Sequence, residues 1–252
     1  MAKAPAVESN QLALFEDQLA SMAAESLKAE QSSLQTTFLS TKGGILTYRG
    51  DPVAGNKLEC VIIAAPIERL YYASRYDPTK IVPPDCFGID ASAIGMKPNS
   101  ASPAPQHATC EGCPKNEWGS SPTGGKGKAC RETRRLLVIP VDALTSAEKI
   151  KTAEVAALRP PVTSLKNYAT YVQTIAATLR RPPLAVVTEI SVLPDAKTQF
   201  KVAFSMTRTI EAQDILQALI ARSKEEISNA IASAGVVTEV EAEAPAIQSD
   251  RF

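Results

Sequence analysis

The stretch from Cys86 to Cys130 constrains this chain more than any other. Four of its five cysteines and its only histidine fall there, in a run otherwise rich in Gly, Pro and Ser. Cys110 and Cys113 stand as C-x2-C, with Gly112 and Pro114 suited to a tight turn, and Cys130 follows after sixteen residues. That spacing lets two thiolates turn onto one ion and brings in a third at the separation usual for small zinc sites. A loop with so little apolar surface cannot easily offset its own ordering entropy, whereas a structural metal ion supplies that free energy. The expectation is therefore a structural Zn2+ held by Cys86, Cys110, Cys113 and Cys130, with His107 as the alternative fourth ligand. Cys86 is preferred because Pro83-Pro84-Asp85-Cys86-Phe87-Gly88 reads as a strand exit beside the loop. Two disulfides or unliganded thiols compete with this reading. The odd fifth cysteine, Cys60, and the lack of a secretory pattern weigh against disulfides.

The 27 basic and 27 acidic residues cancel, so the chain is not a bulk polycation that grips duplex DNA by charge alone. Their distribution is uneven. Lys115, Lys126, Lys128, Arg131, Arg134 and Arg135 face only Glu117 and Glu132 in the same segment, while Glu239, Glu241, Glu243 and Asp250 face only Arg251 near the end. No apolar run approaches the ~18 residues of a membrane span, and the expected location is the cytoplasm.

Leu12, Leu14, Phe15, Leu19, Met22, Ala23 and Leu27 recur at helical spacing and predict an amphipathic N-terminal arm within 1–33. Short β runs follow at 37–40 and 44–48, then a strong strand at 57–65, whose Cys60 reads as a small buried apolar residue, and another at 68–73. The cysteine loop, 84–131, interrupts the sheet before a strand at 134–140. Residues 141–158 read as partly helical. Thr163-Ser164 reads as the cap of a helix ending before Arg181-Pro182-Pro183. Strands at 185–192 and 199–206 and a helix over 211–233 complete a main domain, 34–234, and 235–252 reads as a disordered acidic tail ending in Phe252. The fold class is α+β: an OB-like antiparallel β-barrel with a zinc-binding loop insertion and flanking helices.

The run Cys110-Glu111-Gly112-Cys113-Pro114-Lys115-Asn116-Glu117-Trp118-Gly119-Ser120, followed by Gly125-Lys126-Gly127-Lys128-Ala129-Cys130, resembles a family of bacteriophage single-stranded DNA-binding proteins with a zinc-bearing OB fold. The likeness extends from about Phe38 to Thr209, through Leu165 to Tyr171 and Pro183 to Ile190. The loop is also similar to that of the zinc-containing helix-destabilising proteins of T4-like phages, whose metal is held by three Cys and one His; this chain departs from them by an extra cysteine. The tail resembles those of replication single-strand binders. The resemblance implies a role in phage DNA replication or recombination, in the host cytoplasm. It also implies recruitment of replication proteins through Glu239, Glu241, Glu243, Asp250 and Phe252. A merely solubilising tail is the plainer account.

A single-strand binder needs cations to track phosphates and flat side chains on which bases stack. Lys126, Lys128, Arg131, Arg134 and Arg135 are the candidate cations. Trp118 is the first stacking candidate, unless it caps the zinc site, followed by Tyr72, Tyr76 and Phe87, and Arg135 can stack by its guanidinium plane. Gly124-Gly125-Lys126-Gly127 is not a P-loop, since no G-x4-G-K-[ST] element exists. The H-x-E of the zinc deaminases is missing as well, so no enzymatic activity is expected. The alternative function is a zinc-containing protein-interaction or transcription-regulating module.

Overall fold

The structure of the protein is a computed structural model, and it describes residues 37–74, 82–122 and 124–232, together with Leu19 and Met22. The chain divides into two compact units, 1–37 and 38–252. Of the first, Leu19 and Met22 are helical and exposed; the rest of the expected N-terminal arm lies outside the described residues.

The second unit is a mixed α+β body around a strongly curled, half-barrel sheet. Its strands are β1 (Thr37–Ser40), β2 (Thr47–Tyr48), β3 (Asp51–Pro52), β4 (Lys57–Ala64), β5 (Ile67–Tyr71), β6 (Cys86–Asp90), β7 (Arg131–Arg134), β8 (Leu136–Pro140), β9 (Ala156–Leu158), β10 (Val186–Asp195) and β11 (Gln199–Thr209). Eight of them form one sheet in the order β11-β10-β4-β8-β9-β1-β2-β3, and β6-β5-β7 form a second. β4 pairs antiparallel with β8, and β5 with β7. At the join between the sheets, Ala65-Pro66 stands opposite Arg135, whose N–H donates to the Pro66 carbonyl at 3.0 Å. One bent two-stranded ribbon therefore runs through both sheets.

β4 explains the layering. Cys60 to Ala64 are all buried, as a strand covered on both faces must be. Because successive side chains point to opposite faces, Val61 and Ile63 enter one core cluster and Cys60 and Ile62 another. The first cluster is closed by helix α3 (Gln213–Ala232), through Ile215, Ala218 and Leu219, and by Ile150 of the short helix α1 (Ala147–Thr152). The second is closed by helix α2 (Val162–Leu179), whose Tyr168, Tyr171 and Ile175 fall on one stripe. Arg180 ends that helix in the left-handed region (φ 54°), donating to the Ala176 carbonyl, before Pro182 and Pro183 forbid another turn.

Two local expectations are corrected and a third is extended. α2 starts at Val162 on an uncapped Pro161, and the supposed cap Ser164 is buried, its Oγ accepting from Val202 N at 2.9 Å. The stretch 141–158 is helical in part, through α1 (Ala147–Thr152), and its last residues, Ala156–Leu158, add a strand to the sheet beside β8, with Leu136 opposite Leu158. The segment expected to leave the sheet at Cys86 is instead strand β6, with Tyr71 opposite Cys86 and Leu70 opposite Phe87.

Candidate nucleic-acid interface

The loop between β6 and β7 lies on the outer face of the small sheet. Gly88 permits this approach: a Cβ there would meet the Lys97 carbonyl oxygen at 2.8 Å and Cys110 Sγ at 3.5 Å. The edge strand β6 is not left bare. Asn99 N donates to the Phe87 carbonyl at 2.7 Å, and the Ser102 hydroxyl donates to that carbonyl at 3.0 Å while accepting from Phe87 N at 3.1 Å. Beneath the loop, Ile67, Met96 and Cys110 make a small core of their own, with Ala93 against it. Further out, Cys130 N donates to the Lys115 carbonyl (2.7 Å), and Gly119 N and Ser121 N both donate to the Gly127 carbonyl (2.9 and 3.1 Å). The Ser120 hydroxyl, which donates to the carbonyls of Lys115 and Glu117, accepts from Ala129 N at 3.0 Å.

The arrangement of the cysteines overturns the expected cofactor. Cys86, Cys110, Cys113 and Cys130 do line one cavity of about 20 Å³ together with Arg69 and Tyr71. Yet among the described residues no group of three or more His, Cys, Asp or Glu is arranged to hold a metal ion, and the cysteines are free. The structural Zn2+ on Cys86, Cys110, Cys113 and Cys130 is therefore withdrawn. His107, the alternative ligand, is exposed, and its Nδ1 lies 3.0 Å from the Thr109 carbonyl oxygen. Burial pushes the Cys130 thiol up to about 12, with the neighbouring thiols adding to the rise and Arg69 opposing it. Burial also raises Cys110, Arg69 again pulling the other way. Thiols kept protonated in this way pack as small apolar residues. The entropic case for a metal assumed a loop without other anchors, and that assumption fails on the hydrogen bonds to β6 and on the core around Met96.

The remaining candidates separate sharply. Trp118 is 79% exposed at the loop's outer end, beside an open concavity of about 400 Å³ that it lines with Gly119, Gly125 and Lys126. Lys128 sits with Nζ 5.1 Å from the Trp118 ring centroid, and Lys126 and Arg131 are exposed. Lys115, not singled out as a contact from sequence, holds Nζ 5.3 Å from the Tyr71 ring; its place in the basic run was visible, its aromatic neighbour was not. Tyr72 is 36% exposed.

Phe87 is a correction. It lies 5% exposed in the core cluster with Val61 and Ile139, because β6 alternates and Cys86 takes the face under the loop. Arg135 is a second: its side chain is 12% exposed and paired with the buried carboxylate of Glu68, so its guanidinium plane is not free to stack. Arg134 is half-buried and donates from Nη1 to the Ala65 carbonyl at 3.1 Å. Tyr76, Glu239, Glu241, Glu243, Asp250 and Phe252 lie outside the described residues.

Among the described residues no helix is long and apolar enough to cross a membrane. Comparison with protein-family models, with curated proteins and with solved structures finds no match to this chain.

Proposed function

We propose that the protein is a non-enzymatic single-stranded DNA-binding protein of phage replication or recombination. In this reading the curled sheet serves as an OB-like scaffold and the loop at 91–130 as the main contact. The observation that carries it is Trp118, an indole almost fully in solvent on a loop bearing Lys126, with Arg131 exposed where β7 begins. A large apolar ring held out in water beside cations is the arrangement unpaired bases require, since stacking accepts any base and the cations follow the phosphates. The bent ribbon through both sheets supports the OB-like assignment, because strands that switch sheets through a bend make the corners of barrel-like folds. The acidic tail, 235–252, is assigned the recruitment of replication proteins on its composition.

The test is one binding series with oligo-dT, the matching duplex and a control without DNA, over a range of salt. Affinity for oligo-dT is expected to exceed that for duplex, and its logarithm to fall linearly with log salt, by about 0.7 for each phosphate neutralised. Equal binding to both forms, or a flat salt response, rules the reading out.

A further inference from the structure

We propose that Trp118 offers only one of its two faces, to a single unpaired nucleobase, and that Lys128 is a positioning residue holding the indole rather than a phosphate contact. The proposal rests on the single-strand reading above.

The Lys128 ammonium already has partners. It lies 5.1 Å from the Trp118 centroid and donates to Asn116 Oδ1 at 3.2 Å. Asn116 Nδ2 in turn donates to the Cys110 carbonyl at 2.9 Å, and Cys110 N donates to the Met96 carbonyl at 2.8 Å. Met96 is wholly buried. A chain of contacts therefore runs from the small core under the loop to one face of the exposed ring. A cation on an aromatic face is attracted by the ring quadrupole and also covers that face. The adjoining concavity is lined by Trp118, Gly119, Gly125 and Lys126, and Lys128 is not part of its wall.

The open side suits a base. Its volume, about 400 Å³, falls in the range of ~300 to 1,000 Å³ typical of clefts for small molecules. Gly119 (φ 87°) and Gly125 (φ 80°) form its wall in the left-handed region, with nothing within 4 Å of either missing Cβ. Backbone rather than side chains thus borders the ring, and a flat partner approaches unhindered. Lys126 stands at the same wall with no ion-pair partner among the described residues, where the phosphate of a stacked nucleotide would lie.

Trp118 is the only tryptophan in the chain, so its fluorescence reports this one side chain. The experiment compares the unmodified protein with Lys128→Met, Lys128→Arg and Lys126→Met, first by acrylamide quenching without DNA and then by oligo-dT titration at several salt concentrations. Lys128→Met is expected to raise acrylamide quenching in the free protein and to weaken binding about two- to fivefold with the salt slope unchanged. Lys128→Arg should restore both. Lys126→Met should lower the slope by about 0.7. Unchanged quenching in Lys128→Met together with a slope reduced like that of Lys126→Met overturns the positioning role. Oligo-dT binding with no change in Trp118 emission overturns the base platform while leaving the single-strand reading intact. No binding to any oligonucleotide brings down that reading and the platform with it.

Discussion

The Cβ that Gly88 lacks would stand 2.8 Å from the backbone oxygen of Lys97. The obstacle is backbone, so it cannot rotate away, and the loop must lift or the strand must shift. Gly88→Ala is expected to destabilise the protein by about 1–3 kcal/mol, the usual cost of overpacking. That corresponds to several degrees in Tm at ~2–4 °C per kcal/mol for a domain of this size. Because the same contact seats the loop that carries Trp118, the variant should also show increased acrylamide quenching of the indole. Normal melting and quenching would mean that the loop does not rest on β6 in this way.

Glu68 makes one contribution to stability depend on pH. Its carboxylate is 3% exposed, accepting from Arg159 Nε and Arg135 Nε at 2.7 Å each. Burial alone would raise its pKa, but Arg159 and Arg135 more than counter it and hold the carboxyl below the usual carboxylate range. A folded pKa below the unfolded one means that this stability is fully present above the unfolded value, about 4.3, and is lost as pH falls through the folded value. Glu68→Gln leaves two guanidiniums facing a neutral amide. It should cost about 3–5 kcal/mol at pH 7. In urea unfolding, the gap between Glu68→Gln and the unmodified protein should narrow as pH falls below about 4. A gap of constant size down to pH 2 would show that charge is not what Glu68 contributes.

What could be read from sequence here follows the range of the physics involved. β4, β10 and β11 announce themselves as β-rich runs, and α2 and α3 as stripes repeating every three to four residues, because those signals are local. Ala156–Leu158 carries no such signal: three residues, two of them alanine, become a strand only because β8 offers them a partner. Trp118 was legible as a ring on a polar, basic loop. The burial of Phe87 was not, since which face a strand residue takes depends on its register with Leu70, seventeen positions earlier after a break in the sheet. Arg135 likewise looked like a free cation until Glu68, 67 residues away, was found against it. The C-x2-C spacing misled for a related reason: it reports what thiols can reach, not whether hydrogen bonds such as those from Asn99 and Ser102 already fix the loop.

Tyr171 and Thr188 form a second buried relationship that sequence does not show, hydroxyl to hydroxyl at 2.5 Å between α2 and β10. Thr188 is wholly buried and Tyr171 7% exposed, so neither group has water to fall back on. Tyr171→Phe should destabilise by about 1–3 kcal/mol because it leaves the Thr188 hydroxyl unsatisfied. Adding Thr188→Val removes that orphaned group, and the double variant should regain most of the loss. A double-mutant cycle in urea measures it. Simple additivity of the two single changes would mean that the hydroxyls do not depend on each other.

The assignment of Phe87 to the core rather than to DNA can be decided by size of effect. Truncation to alanine should cost about 3–5 kcal/mol, as for other buried phenylalanines, which alone would reduce binding by loss of folded protein. Phe87→Leu reduces that ambiguity, since it keeps a branched apolar side chain and leaves a much smaller cavity than alanine does. A ring that stacks on a base contributes ~1–3 kcal/mol, so its loss would weaken binding roughly five- to 150-fold. Phe87→Leu is therefore expected to melt a few degrees lower and yet bind oligo-dT within twofold of the unmodified protein. Trp118→Leu, in contrast, should leave the melting temperature unchanged and lose the full stacking contribution. If Phe87→Leu instead loses affinity while keeping its stability, β6 must turn Phe87 outward when DNA binds.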